Sequence, residues 1–131
     1  MKIVMANGVF DILHYGHVLY LEQAAQHGRL VVAVTRDKFV NKGPGRPTNC
    51  EEHRLAVVKA LRCVADAILV DNVEEGFDHF NPDIFIKGRD YIGKIQQQHW
   101  DECAKRGIEV FYTDTPIFSA TKIINDRLRT G

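Results

Sequence analysis

The run Leu30-Val31-Val32-Ala33-Val34 constrains this chain more than any other feature. It holds no polar position, and β-branched residues dominate it. A strand wetted on one face alternates apolar with polar residues, whereas an unbroken run is buried on both faces. Such strands belong to parallel sheets covered by helices on each side. A shorter apolar segment, Ile3–Ala6, precedes the run and reads as a first strand. Between them Val18, Leu19, Leu21, Ala24 and Ala25 recur at helical spacing, and Gly28 stops the helix.

The alternation continues to the end of the chain. Lys42–Asn49 holds Gly43, Pro44, Gly45 and Pro47 and is a loop. Asn49 with Glu52 fits a capping box for a helix running to about Arg62. Ala67–Val70, Asp83–Ile86 and Ile108–Tyr112 read as three more strands. Helices are expected over Val73–Phe80, over Lys94–Arg106 with Gly107 ending it, and from near Ser119 to about Arg129. Strands alternating with helices predict an α/β fold, a three-layer α/β/α arrangement around a five-stranded parallel sheet. At 131 residues the chain fits one domain, residues 1–131.

Charge and cysteine usage narrow the class of partner. Seventeen Lys and Arg balance seventeen Asp and Glu, so no bulk field draws nucleic acid or an anionic membrane, and any phosphate site must be local. No apolar run approaches the ~20 residues that span a bilayer. The first residues are too short an apolar stretch for a signal peptide. Cys50, Cys63 and Cys103 lack the spacing of a zinc site or a disulfide framework. These readings predict a soluble protein of the cytoplasm.

In sheets of this kind ligands sit beyond the carboxyl ends of the strands. The segment Asn7-Gly-Val-Phe-Asp-Ile-Leu-His-Tyr-Gly-His17 lies there, between the first strand and its helix. A helix start offers unpaired backbone N–H groups and the positive end of a dipole, both suited to an anion. His14 and His17 add side-chain donors, and Gly16 has no Cβ to hold a phosphate away. Two other readings stay open at this point. The imidazoles are polar loop residues, or they bind zinc, although no third ligand lies nearby in sequence. Neither a Gly-x-Gly-x-x-Gly nor a Walker loop is present.

The same segment resembles the signature of the cytidylyltransferase-like nucleotidyltransferase superfamily. The resemblance extends through Lys42-Gly-Pro-Gly-Arg-Pro47, Glu52-His-Arg54, Ala60-Leu-Arg-Cys-Val64, Pro82-Asp-Ile-Phe-Ile-Lys-Gly-Arg-Asp-Tyr91 and Ser119-Ala-Thr-Lys-Ile-Ile124. It implies a Rossmann-like sheet in the order 3-2-1-4-5. Two branches compete. The Lys-Gly-x-x-Arg-Pro loop and the Ile-Lys-Gly-x-Asp-Tyr segment are similar to the adenylyltransferase domain that activates heptose 1-phosphate with ATP. The chain length is similar to glycerol-3-phosphate cytidylyltransferases, which use CTP. Asp114-Thr-Pro-Ile117 departs from the Arg-Thr-Glu-Gly of the second branch, and Ala120 replaces a usual Thr.

The resemblance implies an enzyme joining a nucleoside triphosphate, ATP by preference, to a sugar phosphate with release of pyrophosphate. The alternatives are CTP with glycerol 3-phosphate or another polyol phosphate, and a non-catalytic nucleotide-binding regulatory module. It assigns His14, His17 and Lys42 to catalysis. Gly8, Val9, Phe10, Asp11, Gly16, Gly88, Asp90, Ser119 and Thr121 are assigned to the nucleotide, and Lys42, Arg46 and Arg54 to the phosphorylated substrate. Asp11 falls near the phosphates or their metal, with capping of its own turn as the alternative. Capping alone also explains Ser119, and a solvated basic loop explains Lys42 and Arg46. Mg²⁺ would enter with the triphosphate, and no protein ligand for it is assigned.

Other residues read as structural. Ile95, Trp100 and Cys103 should form the buried stripe of their helix, with Phe77 and Phe80 anchoring the one before. His27, His53, His79 and His99 form no constellation and are expected at the surface. The segment Ala60–Val70 has few polar positions, and the apolar surplus, together with the resemblance, points to a homodimer, with burial inside one chain by the Val73–Phe80 helix as the alternative.

Overall fold

The computed structural model describes residues 1–40 and 47–114. The elements run β1 (Ile3–Gly8), α1 (Tyr15–Ala25), β2 (Arg29–Thr35), α2 (Glu51–Lys59), β3 (Asp66–Val70), α3 (Val73–Phe80), β4 (Ile84–Lys87), α4 (Gln97–Arg106) and β5 (Glu109–Tyr112). Short 3₁₀ turns, Asp37–Phe39 and Arg89–Tyr91, follow β2 and β4. All strands pair in parallel in the order β3-β2-β1-β4-β5, the expected topology.

Parity along the strands explains the unbroken apolar run. Leu30, Val32 and Val34 of β2 join Val4 and Ala6 of β1 in a core closed by Leu21 and Ala24 of α1 and Val58 of α2. Val31 and Ala33 face the other way, with Met5, Phe77 of α3, Phe85 and Cys103 of α4. Each strand residue therefore needs an apolar partner on one face or the other. α3 lies close on the sheet at Gly76, where a Cβ would stand 2.8 Å from Met5 Sδ and 3.1 Å from Ala33 Cβ.

Several local expectations change. α2 starts at Glu51 with Cys50 as N-cap and no side-chain capping bond, and it ends at Lys59, short of Arg62. Asn49 does not cap it, because its amide donates to the Asp11 carbonyl instead. α4 starts at Gln97 rather than Lys94, since residues 92–95 form a turn with Gly93 at φ +78° and Gln96 is extended, and Trp100 is 38% exposed while Cys103 is buried and Ile95 half-buried. Phe77 is buried and Phe80 packs beside it, as expected. The expected helix beyond Ser119 lies outside the described residues. Within Ala60–Val70, Leu61, Cys63 and Leu69 pack on the first core and Ile68 on the second, so one chain absorbs much of the surplus. No helix among the described residues is long and apolar enough to cross a membrane.

Candidate active site

The histidines are built into the start of α1. His14 is its N-cap, and the His14 Nδ1 accepts the Gly16 N–H at 3.1 Å. His17 Nδ1 accepts the His14 N–H at 3.3 Å, closing a reciprocal capping box made of two imidazoles. The rings stack with centroids 4.0 Å apart. An Nδ1 that accepts a backbone N–H leaves the ring proton on Nε2. The backbone thus fixes both tautomers as Nε2–H donors at a helix start, beyond the carboxyl end of β1. Tyr20, one turn further along α1, donates its hydroxyl to the Ile86 carbonyl at 2.8 Å and ties the helix to β4.

Phe10 bends the loop into this shape. Its φ is +52°, a conformation that costs a non-glycine residue about 1 kcal/mol or more, and its ring is buried. The ring packs edge-on against His17 at 5.3 Å and lies over Gly8, where a Cβ would come within 3.0 Å. Gly8 is therefore small to admit the Phe10 ring, a packing reason beside the nucleotide contact implied for it.

Asp11 and Arg54 brace the loop from inside. Asp11 is buried, and its carboxylate accepts the Thr48 and Asn49 N–H groups at 2.8 and 2.9 Å. Those bonds join the β1–α1 loop to the chain just before α2, and they give Asp11 a positioning role. Arg54, expected to contact substrate phosphate, is instead enclosed, its side chain wholly shielded from solvent. Its guanidinium donates to the carbonyls of Val9 (2.8 Å), Thr35 (2.7 Å) and Asn49 (3.1 Å) and to Asp37 Oδ1 (2.6 Å). Four of its five N–H groups are committed to protein acceptors. The reason is geometric, since Arg54 shares the buried face of α2 with Val58.

One functional candidate escaped the sequence reading. β4 extends one residue beyond the expected strand and ends on Lys87, which is only 8% exposed. The Lys87 Nζ donates to Asn7 Oδ1 at 2.8 Å and stands 4.0 Å from the centroid of the Tyr91 ring. Burial pushes its pKa down to about 8, against the weaker opposing pull of Asp90. A lysine ending an apolar strand was the available signal. His99 also departs from expectation, being half-buried with Nε2 3.8 Å from Glu74 Oε1.

A testable consequence concerns stability. A lysine at about 8 binds fewer protons in the folded chain than at its usual 10.5 in the unfolded chain, so its burial costs stability in full below about pH 8. The cost, roughly 3 kcal/mol, fades as pH rises from 8 toward 10.5. Lys87→Met removes it and loses the Asn7 bond, worth about 1 kcal/mol. Urea unfolding at pH 7 should therefore show Lys87→Met more stable by about 1–2 kcal/mol, a margin that shrinks by pH 10. A variant less stable than the parent at pH 7 would show that the ammonium is well solvated.

The structure gathers Gly8 at the end of β1, Val9, Phe10, Asp11 and His14 on the loop after it, and Gly16 and His17 in the first turn of α1, with Gly88 and Asp90 on the turn after the neighbouring strand. Lys42, Arg46, Ser119 and Thr121 lie outside the described residues. Among the described residues no group of three or more His, Cys, Asp or Glu side chains is placed to hold a metal ion.

A parallel sheet in this order, with paired imidazoles capping the helix after its central strand, defines a nucleotidyltransferase-type α/β domain. Residues 5–126 match the cytidylyltransferase-like family model, and the chain belongs to that family. It is 50% identical over 95 residues to the bifunctional protein HldE of Azotobacter vinelandii, covering 69% of this chain and 20% of that protein. The HldE of Pseudomonas syringae pv. tomato gives the same identity and coverage. The chain thus spans about a fifth of the length of these relatives. A lipopolysaccharide core biosynthesis protein from Thermoplasma volcanium is 33% identical with a TM-score of 0.76, covering 89% of this chain and 99% of that one. Pantothenate synthetase from Thermus thermophilus (14% identical, TM-score 0.60, covering 86% of this chain and 55% of that one) shares the fold.

Proposed function

We propose that this chain is a single nucleotidyltransferase domain that joins ATP to a sugar phosphate such as heptose 1-phosphate. A phosphate oxygen of the acceptor attacks the α-phosphorus, the bond to the β-phosphate bridging oxygen breaks, and pyrophosphate leaves. Such a step asks for positioning and charge neutralisation rather than covalent help. The observation that carries the reading is the imidazole pair, whose Nε2–H donors are set by the backbone at the start of α1. Donors fixed before the reaction stabilise charge that grows on phosphate oxygens. The likeness to a lipopolysaccharide core biosynthesis protein supports a sugar phosphate as acceptor, and the identity to HldE supports the heptose branch.

Mg²⁺ fits as a partner of the triphosphate. Asp11 points its carboxylate at two backbone N–H groups, and no cluster of metal-ligating side chains stands among the described residues. The ion would enter chelated by the nucleotide and neutralise its phosphates. The proposal includes a homodimer through the segment Ala60–Val70, and light scattering should give twice the 14.9 kDa of one chain.

The test is a thermal-shift screen of the four nucleoside triphosphates with Mg²⁺, followed by pyrophosphate release with a panel of sugar and polyol phosphates. A ligand at a hundred times its dissociation constant stabilises by about 2.7 kcal/mol, a visible shift for a domain this size. ATP should give the largest shift, and a sugar 1-phosphate the fastest release. A response to CTP alone, with glycerol 3-phosphate as acceptor, would overturn the choice of substrates. Tight nucleotide binding with no pyrophosphate from any acceptor would make the domain a regulatory module.

A further inference from the structure

β1 and β4 adjoin at the centre of the sheet, yet their pairing stops early. β1 pairs with β2 along its whole length, from Ile3↔Arg29 to Gly8↔Val34, and β4 pairs with β5 as far as Lys87↔Tyr112. Between β1 and β4 the joined pairs are Val4↔Ile84 and Met5↔Phe85, although β1 runs on to Gly8 and β4 to Lys87. The two strand ends therefore part from each other. They do so where the connections leave for opposite faces, α1 packing on the side of Val4 and Ala6 and α4 on that of Met5 and Phe85.

The register identifies the ladder bond that is not made. Successive residues of a strand turn their carbonyls to opposite neighbours. The Lys87 carbonyl accepts the Thr113 N–H on the β5 side, so the Ile86 carbonyl faces β1. With Met5 opposite Phe85, its ladder donor would be the Asn7 N–H. It accepts the Tyr20 hydroxyl instead, at 2.8 Å. Tyr20 reaches it from α1, with its ring against the first core. Burial raises the Tyr20 pKa far above the ordinary tyrosine range, and Tyr91 and Asp90 on the turn after β4 add to the rise, so the hydroxyl stays a donor well into alkaline pH. Continuing the ladder would have satisfied the same carbonyl with no buried hydroxyl, so hydrogen-bond accounting does not call for a tyrosine. On the other face Lys87 Nζ donates to Asn7 Oδ1 at 2.8 Å and spans the same gap, side chain to side chain.

We propose that Tyr20 is a positioning residue that spaces the two strand ends: its hydroxyl occupies the Ile86 carbonyl, keeps the Asn7 N–H from closing on it, and so holds the crevice between β1 and β4 open for the nucleoside triphosphate. The choice of ligand rests on the nucleotidyl-transfer reading. Because Tyr20 lies one turn beyond His17 on α1, the same bond also sets the distance from the two imidazoles to the turn carrying Gly88 and Asp90.

Tyr20→Phe keeps the ring in the core and removes the hydroxyl. Scalar coupling across a hydrogen bond, measured by NMR without ligand between the Asn7 amide nitrogen and the Ile86 carbonyl carbon, should be absent in the parent and present in Tyr20→Phe. MgATP must then break that bond to enter, and one ordinary hydrogen bond predicts about 3–10-fold weaker binding by calorimetry. The bound state is open in both chains, so kcat for pyrophosphate release should stay within about twofold while the nucleotide KM rises with the dissociation constant. Tyr20→para-aminophenylalanine returns an N–H donor to the same place and should lose the coupling and regain the affinity. A coupling already present in the parent, or none in Tyr20→Phe, would overturn the spacer. So would a Tyr20→Phe chain that unfolds earlier in urea yet binds MgATP as the parent does, which would leave the hydroxyl as a tie for α1 alone. No binding of any nucleoside triphosphate by the parent counts against nucleotidyl transfer, and the coupling, read without nucleotide, still decides the spacing.

Discussion

Alanine at His14 or at His17 is expected to lower turnover by roughly 10²–10³, the usual cost of one pre-set donor to developing charge. It should also reach the fold, because each imidazole accepts a backbone N–H at the start of α1. Losing a capping acceptor costs about 0.5–2 kcal/mol, more than an ordinary exposed-loop change. The two effects separate with asparagine. Asn is a good N-cap residue, so His14→Asn should recover most of the stability lost in His14→Ala, yet it places no Nε2–H and should stay as slow. Urea unfolding and single-turnover pyrophosphate release measure the two on the same preparations. An Asn variant that regains turnover along with stability would reduce the histidine to a cap.

The fold was largely legible because its signals are local and repeated. The polar-free run of β2 needs helices on both faces, and the Asn72 cap with Val73 and Phe77 fixes α3 where periodicity put it. What stayed hidden depends on partners distant in sequence. Asn49 has the right residue type and spacing for a capping box, but Asp11, 38 positions away, competes for it and wins. Arg54 follows Glu52 and His53, both exposed, so its neighbours advertise a wet face while its own position on α2 points inward. Lys87 reads as the residue that ends a strand, whereas Asn7 and the rings of Phe85 and Tyr91 pack around it and give β4 one more buried position. The imidazole pair is conspicuous in sequence, but its reciprocal capping geometry, and so its tautomers, follow only from coordinates. Local rules find the elements and the motif, and pairing across the sheet decides which polar residues brace and which bind.

The second large effect is expected at Arg54, and its direction separates brace from ligand. Arg54→Met keeps length and apolar contact but strips donors from the carbonyls of Val9, Thr35 and Asn49. An unsatisfied buried acceptor costs about 1–3 kcal/mol, and some of these carbonyls regain water, so a net loss of about 3–4 kcal/mol follows. Asp37 adds little, since its side chain is 40% exposed and water replaces the lost partner. Against a total stability of about 5–15 kcal/mol, the variant should unfold at a much lower urea concentration and approach instability at 37 °C. A phosphate-binding arginine behaves oppositely: its removal relieves a buried charge, leaves unfolding nearly unchanged and weakens nucleotide binding. Arg54→Lys adds a second check, because an ammonium cannot span four acceptors and should recover only part of the loss. If Arg54→Met unfolds within about 1 kcal/mol of the parent while its triphosphate affinity falls tenfold, the guanidinium belongs to the substrate. If stability collapses first, Arg54 is what holds the Val9 carbonyl, and with it the turn carrying the two histidines, against the end of β2.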